Sequence, residues 1–337
     1  MRPAASSFAR RPGVAYAAAP DGHELPVIDV TNPAFRVDSS AEGVEALRLA
    51  HVAEVRRNRL PAFLIPVMLR LLARRSLLVR ALVKPEASYL GGLTTYALKL
   101  GAENLMPPFD HPIDRRIGAS AMVTSMRLRL QQTAELIAEA LTAVLQERPG
   151  AALHLVNIAS GPAMDSLNAL ILLRAAAPDL LAREVAIHVL DLDDKGPRFG
   201  ASALAALQAA GGSLAGLEIG FRHIAYDWNE TAVLQHLLRD IPDPAVIAAS
   251  SEGGLFDYGS DAAVAANLAA LRAGGASLVA GSVTRADELT RRSLASARFK
   301  LVPRGTESFA ALARRAGWRL VRAAPALISD QVLLEPA

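Results

Sequence analysis

Between positions 154 and 165 the chain reads His-Leu-Val-Asn-Ile-Ala-Ser-Gly-Pro-Ala-Met-Asp, with Asn157, Ala159, Ser160, Gly161 and Asp165 around its centre. An apolar run there meets small residues and then an Ala/Leu-rich stretch. This predicts a strand over 153–158, a tight turn and a helix over 165–177. A helix N-terminus leaves N–H groups without intrahelical partners, and a turn of small residues lets a ligand reach them. Asp191, followed by Leu192, ends a second apolar run, where a buried carboxylate needs donors. Asp227-Trp228 follows a third run. Ser250, Ser251, Glu252, Phe256 and Tyr258 follow a fourth. Aromatic faces there would stabilise a cation by about 0.5–2 kcal/mol, and Glu252 is a candidate for the chemical step.

Upstream, Tyr89 and Tyr96 stand two helical turns apart and face one way. Arg127 and Arg129 could reach the carboxylate of an amino-acid-like ligand. No two histidines have metal-ligand spacing, and Ser160-Gly161 lacks the flanks of a nucleophile elbow. No metal site is expected.

The elements that would position these groups fall into two halves. After an irregular Pro/Gly-rich stretch, residues 1–40, helical periodicity covers 42–59, 63–83, 89–99 and 120–146, punctuated by prolines. No alternation of β-branched residues suggests a sheet in this half. Beyond Pro149-Gly150, apolar runs at 153–158, 185–190, 221–226, 245–249 and 277–281 alternate with helical stretches at 165–177, 201–210, 231–239 and 262–273. That pattern predicts a parallel sheet with helices on both faces. A helix over 308–316 and two linked runs, 319–323 and 331–335, predict a terminal antiparallel pair. The expected division is 1–40 irregular, 41–149 helical lid or substrate domain, and 150–337 ligand-binding α/β domain.

The chain has 337 residues, 52% hydrophobic and 20% charged, with a formal charge of +3. This supports a large core and argues against disorder. The absence of cysteine excludes a disulfide framework and fits a reducing, cytoplasmic setting. Scattered arginines and 5% aromatics give no stacking groove, so no nucleic-acid partner is expected. Residues 1–20 have a basic, acid-poor composition, read as a frayed tail rather than a transit segment. The most apolar stretch, 60–83, is broken by Arg70, Arg74, Arg75 and Arg80, so it predicts a helix packed on its own domain and no membrane span.

The second half, 150–335, resembles the class I S-adenosylmethionine (SAM)-dependent methyltransferases. Asn157-Ile-Ala-Ser160-Gly161-Pro162 stands in the place of their glycine-rich first motif but has one glycine and no acid. Asp191 stands where the family has the acid that accepts both ribose hydroxyls. It lies 30 residues beyond Gly161, against the ~20 of the dinucleotide pattern, which demands an extended intervening helix. Asp227-Trp228 matches the adenine-holding pair, and the segment from Ser250 to Tyr258 is similar to loops that close small-molecule active sites. The resemblance implies a Rossmann-like sheet, SAM as cofactor and methyl transfer to a small molecule. The helical half would then be a lid or a homodimer surface. A second implication is similarity to azetidine-2-carboxylate synthases, in which SAM alone is the substrate and its own amine displaces methylthioadenosine. Tyr89, Tyr96, Asn157, Ser251 and Tyr258 would be the candidates for holding the folded amino-acid arm.

Overall fold

The computed structural model of the chain describes residues 10–57, 65–83, 91–295 and 300–337. In chain order the elements are β1 (Tyr16–Ala18), β2 (Glu24–Pro26), α1 (Ala41–Arg57), α2 (Ile65–Leu72), α3 (Leu77–Val83), α4 (Gly92–Lys99), α5 (Pro112–Gly118) and α6 (Ala121–Glu147). There follow β3 (Ala152–Ile158), α7 (Met164–Ala176), β4 (Val185–Leu190), α8 (Lys195–Gln208), β5 (Ile219–Ile224), α9 (Ala232–Asp240) and β6 (Ala245–Ser251). Last come α10 (Leu255–Tyr258), α11 (Asp261–Ala273), β7 (Leu278–Thr284), α12 (Glu288–Ala295), α13 (Gly305–Arg315), β8 (Trp318–Pro325) and β9 (Ser329–Pro336).

Seven strands form one sheet in the order β5-β4-β3-β6-β7-β9-β8. The first five are parallel, and β9 enters antiparallel between β7 and β8. Strand order reverses between β3 and β6, so a crevice opens at the carboxyl ends of these strands. This is a Rossmann-like, mostly parallel sheet with an antiparallel strand set next to its edge, the mixed α/β architecture expected from the alternation.

Strands β6 and β7 read as unbroken apolar or small runs, and β3 as a run broken only by the buried His154 and Asn157, because both faces are covered. On one face Leu153, Leu155 and Ile187 share a core with Leu130, Ile137 and Leu141 of α6, Leu167 of α7 and Phe199 of α8. On the other, Val156, Val279 and Leu334 pack with Leu237 of α9, Leu268 of α11 and Phe309 of α13. The first core runs across residues 149–150: Ala17, Leu25, Phe35 and Tyr96 belong to it as well. Helix α6 is pinned to the sheet by polar contacts too, since Gln331 donates to Gln132 (2.7 Å) and Gln132 to the carbonyl of Pro325 (3.1 Å).

Three local expectations are corrected. Residues 1–40 are not wholly irregular, because β1 and β2 pair as a hairpin over Pro20-Asp21-Gly22, with Gly22 at φ +86°. Strands of three residues are too short to show alternation. The single helix over 63–83 is two helices, α2 and α3. Ser76 breaks it, accepting from Val79 N (2.9 Å) as a cap while its hydroxyl is held by buried Asp114. Helices α5, α10 and α12 lack an apolar period long enough to be read. Among the described residues, no helix is long and apolar enough to cross a membrane.

Candidate functional site

Strand β3 ends at Ile158, and the chain turns through Ala159 (φ +54°), Gly161 (φ +62°) and Ala163 (φ +53°) into α7. Two alanines in the left-handed region carry a steric cost of about 1–2 kcal/mol each, which the surrounding packing must hold in place. Gly161 is glycine for a second reason. A Cβ on it would lie 2.9 Å from the Cα of Gly92, and one on Gly196 would lie 2.8 Å from the Cα of Gly161. The turn, the start of α4 and the start of α8 thus meet backbone to backbone.

The turn forms one wall of a cavity of about 360 Å³ at the carboxyl edge of the sheet. Asp191, at the end of β4, faces it. Its Oδ2 accepts from Gly161 N (3.1 Å) and its Oδ1 from Asp193 N (3.0 Å). Burial pushes this carboxyl up, against the pull of those two N–H groups. A carboxylate has about four acceptor positions, so two remain for a diol. Ala159, Ser160, Leu192, Asp227 and Trp228 line the same cavity, with Tyr226 beside them. Asp227 sits at the mouth, accepting from Asn229 N (2.9 Å) and Asn229 Nδ2 (2.8 Å).

The inner end is charged and buried. Glu252 receives a hydrogen bond from Lys99 Nζ on one oxygen and from Arg129 Nε (2.5 Å) on the other. Its own N–H donates to Ser160 Oγ (2.8 Å), tying this cluster to the turn. Arg129 Nη1 also lies 4.0 Å from Asp257 Oδ2, and Asp257 takes the hydroxyls of Ser282 and Thr284, both at 2.5 Å. Burial alone would raise the Glu252 carboxyl, but Lys99 and Arg129 outweigh it and hold the group below its usual range. For Asp257, burial wins and the carboxyl is raised. Tyr258 lines the cavity as well, its phenol pushed up to about 12 by burial and by Asp257.

Not every expected site residue reaches the wall. Asn157, Asp165, Ser250 and Ser251 lie beneath it. Asn157 Nδ2 donates to Asp165 Oδ1 (2.7 Å) and to Ser250 Oγ (3.1 Å). Ser251 Oγ donates to Ile158 O and accepts from Leu255 N, both at 2.9 Å. These residues build the turn and the start of α10. Tyr96 lines the cavity, but its hydroxyl donates to Pro26 O and accepts from Ile28 N (3.1 Å), fastening the hairpin segment. Tyr89 lies outside the described residues. Arg127 pairs with Glu103 (3.1 Å).

Lys99 was not singled out from the sequence. The signal lay in its neighbours: one of only four lysines stands in Tyr-Ala-Leu-Lys-Leu, at a position that buries. A lysine inside an apolar helix end needs a buried anion.

No protein-family model and no curated protein matches the chain. Among solved structures, a possible exported protein from Bordetella parapertussis is 18% identical, over 91% of this chain and 99% of its own, with a TM-score of 0.55. That similarity extends the fold over nearly the whole chain. Magnesium protoporphyrin IX methyltransferase (ChlM) of Synechocystis PCC 6803, solved with bound SAH, is 11% identical over 64% of this chain and 87% of its own, with a TM-score of 0.42. The pyocyanin biosynthetic protein PhzM is 16% identical over 88% and 74%, again with a TM-score of 0.42. These last two are too distant to bear on chemistry.

Proposed function

We propose that the chain binds SAM along the carboxyl edge of its sheet and transfers the methyl group to a small molecule. The observation that carries this reading is Asp191, its carboxylate anchored by Gly161 N and Asp193 N and turned to the cavity. It would grip the ribose diol, Asp227 and Trp228 would flank the adenine, and the amino-acid arm would run toward Glu252, Lys99 and Arg129. The group supplies an activated carbon bonded to a cationic sulfur. The protein's part is to align a nucleophile with that carbon and keep water out, and alignment is where much of the acceleration of such a displacement can arise. Met122, Met126, Leu294 and Leu301 give the acceptor side an apolar wall.

The second reading is cyclisation of SAM to azetidine-2-carboxylate with release of methylthioadenosine, in which SAM's own amine is the nucleophile and no external acceptor enters. The deciding experiment incubates the protein with SAM and no acceptor. Methylthioadenosine as product selects cyclisation. S-adenosylhomocysteine appearing only when small nucleophiles are added selects methyl transfer. A calorimetric titration showing no SAM binding would remove both.

A further inference from the structure

We propose that the exposed face of α2, with the arginines around it, docks the protein on an anionic lipid surface. The stretch expected to pack on its own domain divides here, and α3 does most of that packing. Leu78 and Val79 of α3 are buried, while Asp114 of α5 accepts from the Ser76 hydroxyl and from Leu78 N (3.1 Å). Among the helices and strands, α2 meets mainly α3. Its Val67 (55%), Met68 (36%) and Leu71 (56%) stand exposed. Val67 and Leu71 are one helical turn apart with Met68 beside them, so the three make one apolar patch. Single exposed apolar residues are ordinary on a surface, whereas a contiguous patch marks a place of contact.

Charge says what kind of surface covers it. Residues 55–85 hold seven arginines, one lysine and no Asp or Glu. Taking these eight cations from the formal charge of +3 leaves the rest of the chain at −5, so the positive charge is concentrated in this stretch. Arg70 flanks the apolar patch, and Arg74 and Arg75 follow in the closing turn, where they donate through their N–H groups to Leu71 O (3.2 Å) and Leu72 O (3.0 Å). All three are exposed, as is Arg80, whose Nε donates to Ala73 O (3.1 Å). Among the described residues, none of these four arginines pairs with a carboxylate. An apolar centre with a cationic rim suits a helix lying in the plane of a membrane interface. The apolar groups enter the acyl boundary, and each guanidinium can grip a lipid phosphate through two parallel hydrogen bonds. Insertion of three side chains is weak by itself, and the basic rim adds the second signal that holds a protein there.

Two other occupants fit worse. A two-fold pair of chains joined through this face would set the patch against itself, and the same arginines against one another. A nucleic acid would match the charge but not the centre, since residues 65–83 contain no aromatic side chain on which a base could stack. The docking face stands apart from the SAM reading. It is close to the cavity all the same, because α3 lies against α4, whose Gly92, Thr95 and Lys99 line that wall.

The test is flotation of the full-length protein with vesicles on a density gradient. Wild type is expected to float with phosphatidylcholine vesicles containing one third phosphatidylglycerol, and to stay behind with phosphatidylcholine alone. Raising the salt to about 1 M, where the screening length falls to about 3 Å, should release it. Arg74→Glu with Arg75→Glu, and separately Val67→Ser with Leu71→Ser, should each lower the partition onto anionic vesicles at least tenfold. All four positions are exposed, and circular dichroism of both double variants confirms folding. A wild-type chain that does not float with the anionic vesicles, or double variants that float as wild type does, overturns the proposal. Displacement of the protein from vesicles by a single-stranded oligonucleotide at equal phosphate concentration overturns it in favour of a nucleic acid. Light scattering without vesicles tests the second copy: a dimer that Val67→Ser with Leu71→Ser converts to a monomer overturns the proposal, and equal masses for wild type and variant support it.

Discussion

Gly92 and Gly161 touch through their backbones, so that a Cβ placed on the first would stand 2.8 Å from the Cα of the second. The start of α4 and the β3–α7 turn therefore lie at a separation that only glycine permits. Gly92→Ala must push α4 away from the turn, and with it Tyr96 and Lys99 on the same helix. Overpacking of this kind costs about 1–3 kcal/mol. A lower melting temperature together with weaker SAM binding is expected. Gly161→Ala should be worse, since its φ of +62° adds backbone strain. A thermal melt and a SAM titration of each variant check both effects.

Asp191→Ala should weaken SAM binding by about 1.5–3 kcal/mol, the range for a lost hydrogen bond to a charged group. Adenosine carries the same diol and should lose affinity by a similar factor. Asp191→Asn keeps one acceptor for Gly161 N and should lose less. Parallel titrations with SAM and adenosine separate the sugar grip from the amino-acid arm: a loss confined to SAM would move Asp191 to the other end of the ligand.

Much of the sheet was legible because a strand covered on both faces is predominantly apolar. The runs at 153–158 and 185–190 coincide with β3 and β4 within a residue. Asp191 was legible for a related reason, as a charge closing such a run. Long-range partnerships left no trace. Nothing near Glu252 in sequence announces Lys99 or Arg129, which arrive from helices 153 and 123 residues away. The serines at 250 and 251 looked like ligand contacts because they follow a strand, yet their hydroxyls serve the turn. A side chain's direction at a strand end depends on twist and on the loop that follows, which spacing alone does not encode.

Glu252→Gln removes the anion between two buried cations. Breaking such a pair on one side typically costs about 3–5 kcal/mol, because the remaining charge stays buried without compensation. Urea unfolding at pH 7 should show this loss with an unchanged slope. Because Glu252 titrates below its usual range in the folded chain, the unfolded chain binds the proton first as pH falls. Its stabilisation is therefore full above the ordinary carboxylate range and disappears as pH drops through the lowered value. The gap between wild type and Glu252→Gln should narrow in acid.

Asp165 and His188 impose opposite pH dependences in nearly the same window. Asp165 is raised from 3.8 to about 6, by burial first and then by Glu252, and its Oδ2 has no hydrogen-bond partner. The folded chain holds that proton where the unfolded chain has lost it, so stability falls as pH rises from about 4 to 6. The shift corresponds to a cost of about 3 kcal/mol at pH 7. His188 stacks on His154 at 5.3 Å, with its Nε2 3.0 Å from Nδ1 of His154. Burial, His154 and Arg222 depress it from 6.5 to about 4. The unfolded chain protonates first there, so stability falls as pH drops from 6.5 toward 4. Each residue masks the other in the wild-type chain. Asp165→Asn, which replaces an acceptor by a donor, should be more stable than wild type at pH 7 and lose that advantage by pH 4. Its acid loss is then steeper. His188→Gln should instead gain stability relative to wild type as pH falls over the same range, whatever the constant cost of the substitution. Urea midpoints at pH 4.5 and 7 for the three chains read these slopes directly, and equal slopes in all three would remove the assignment of both groups.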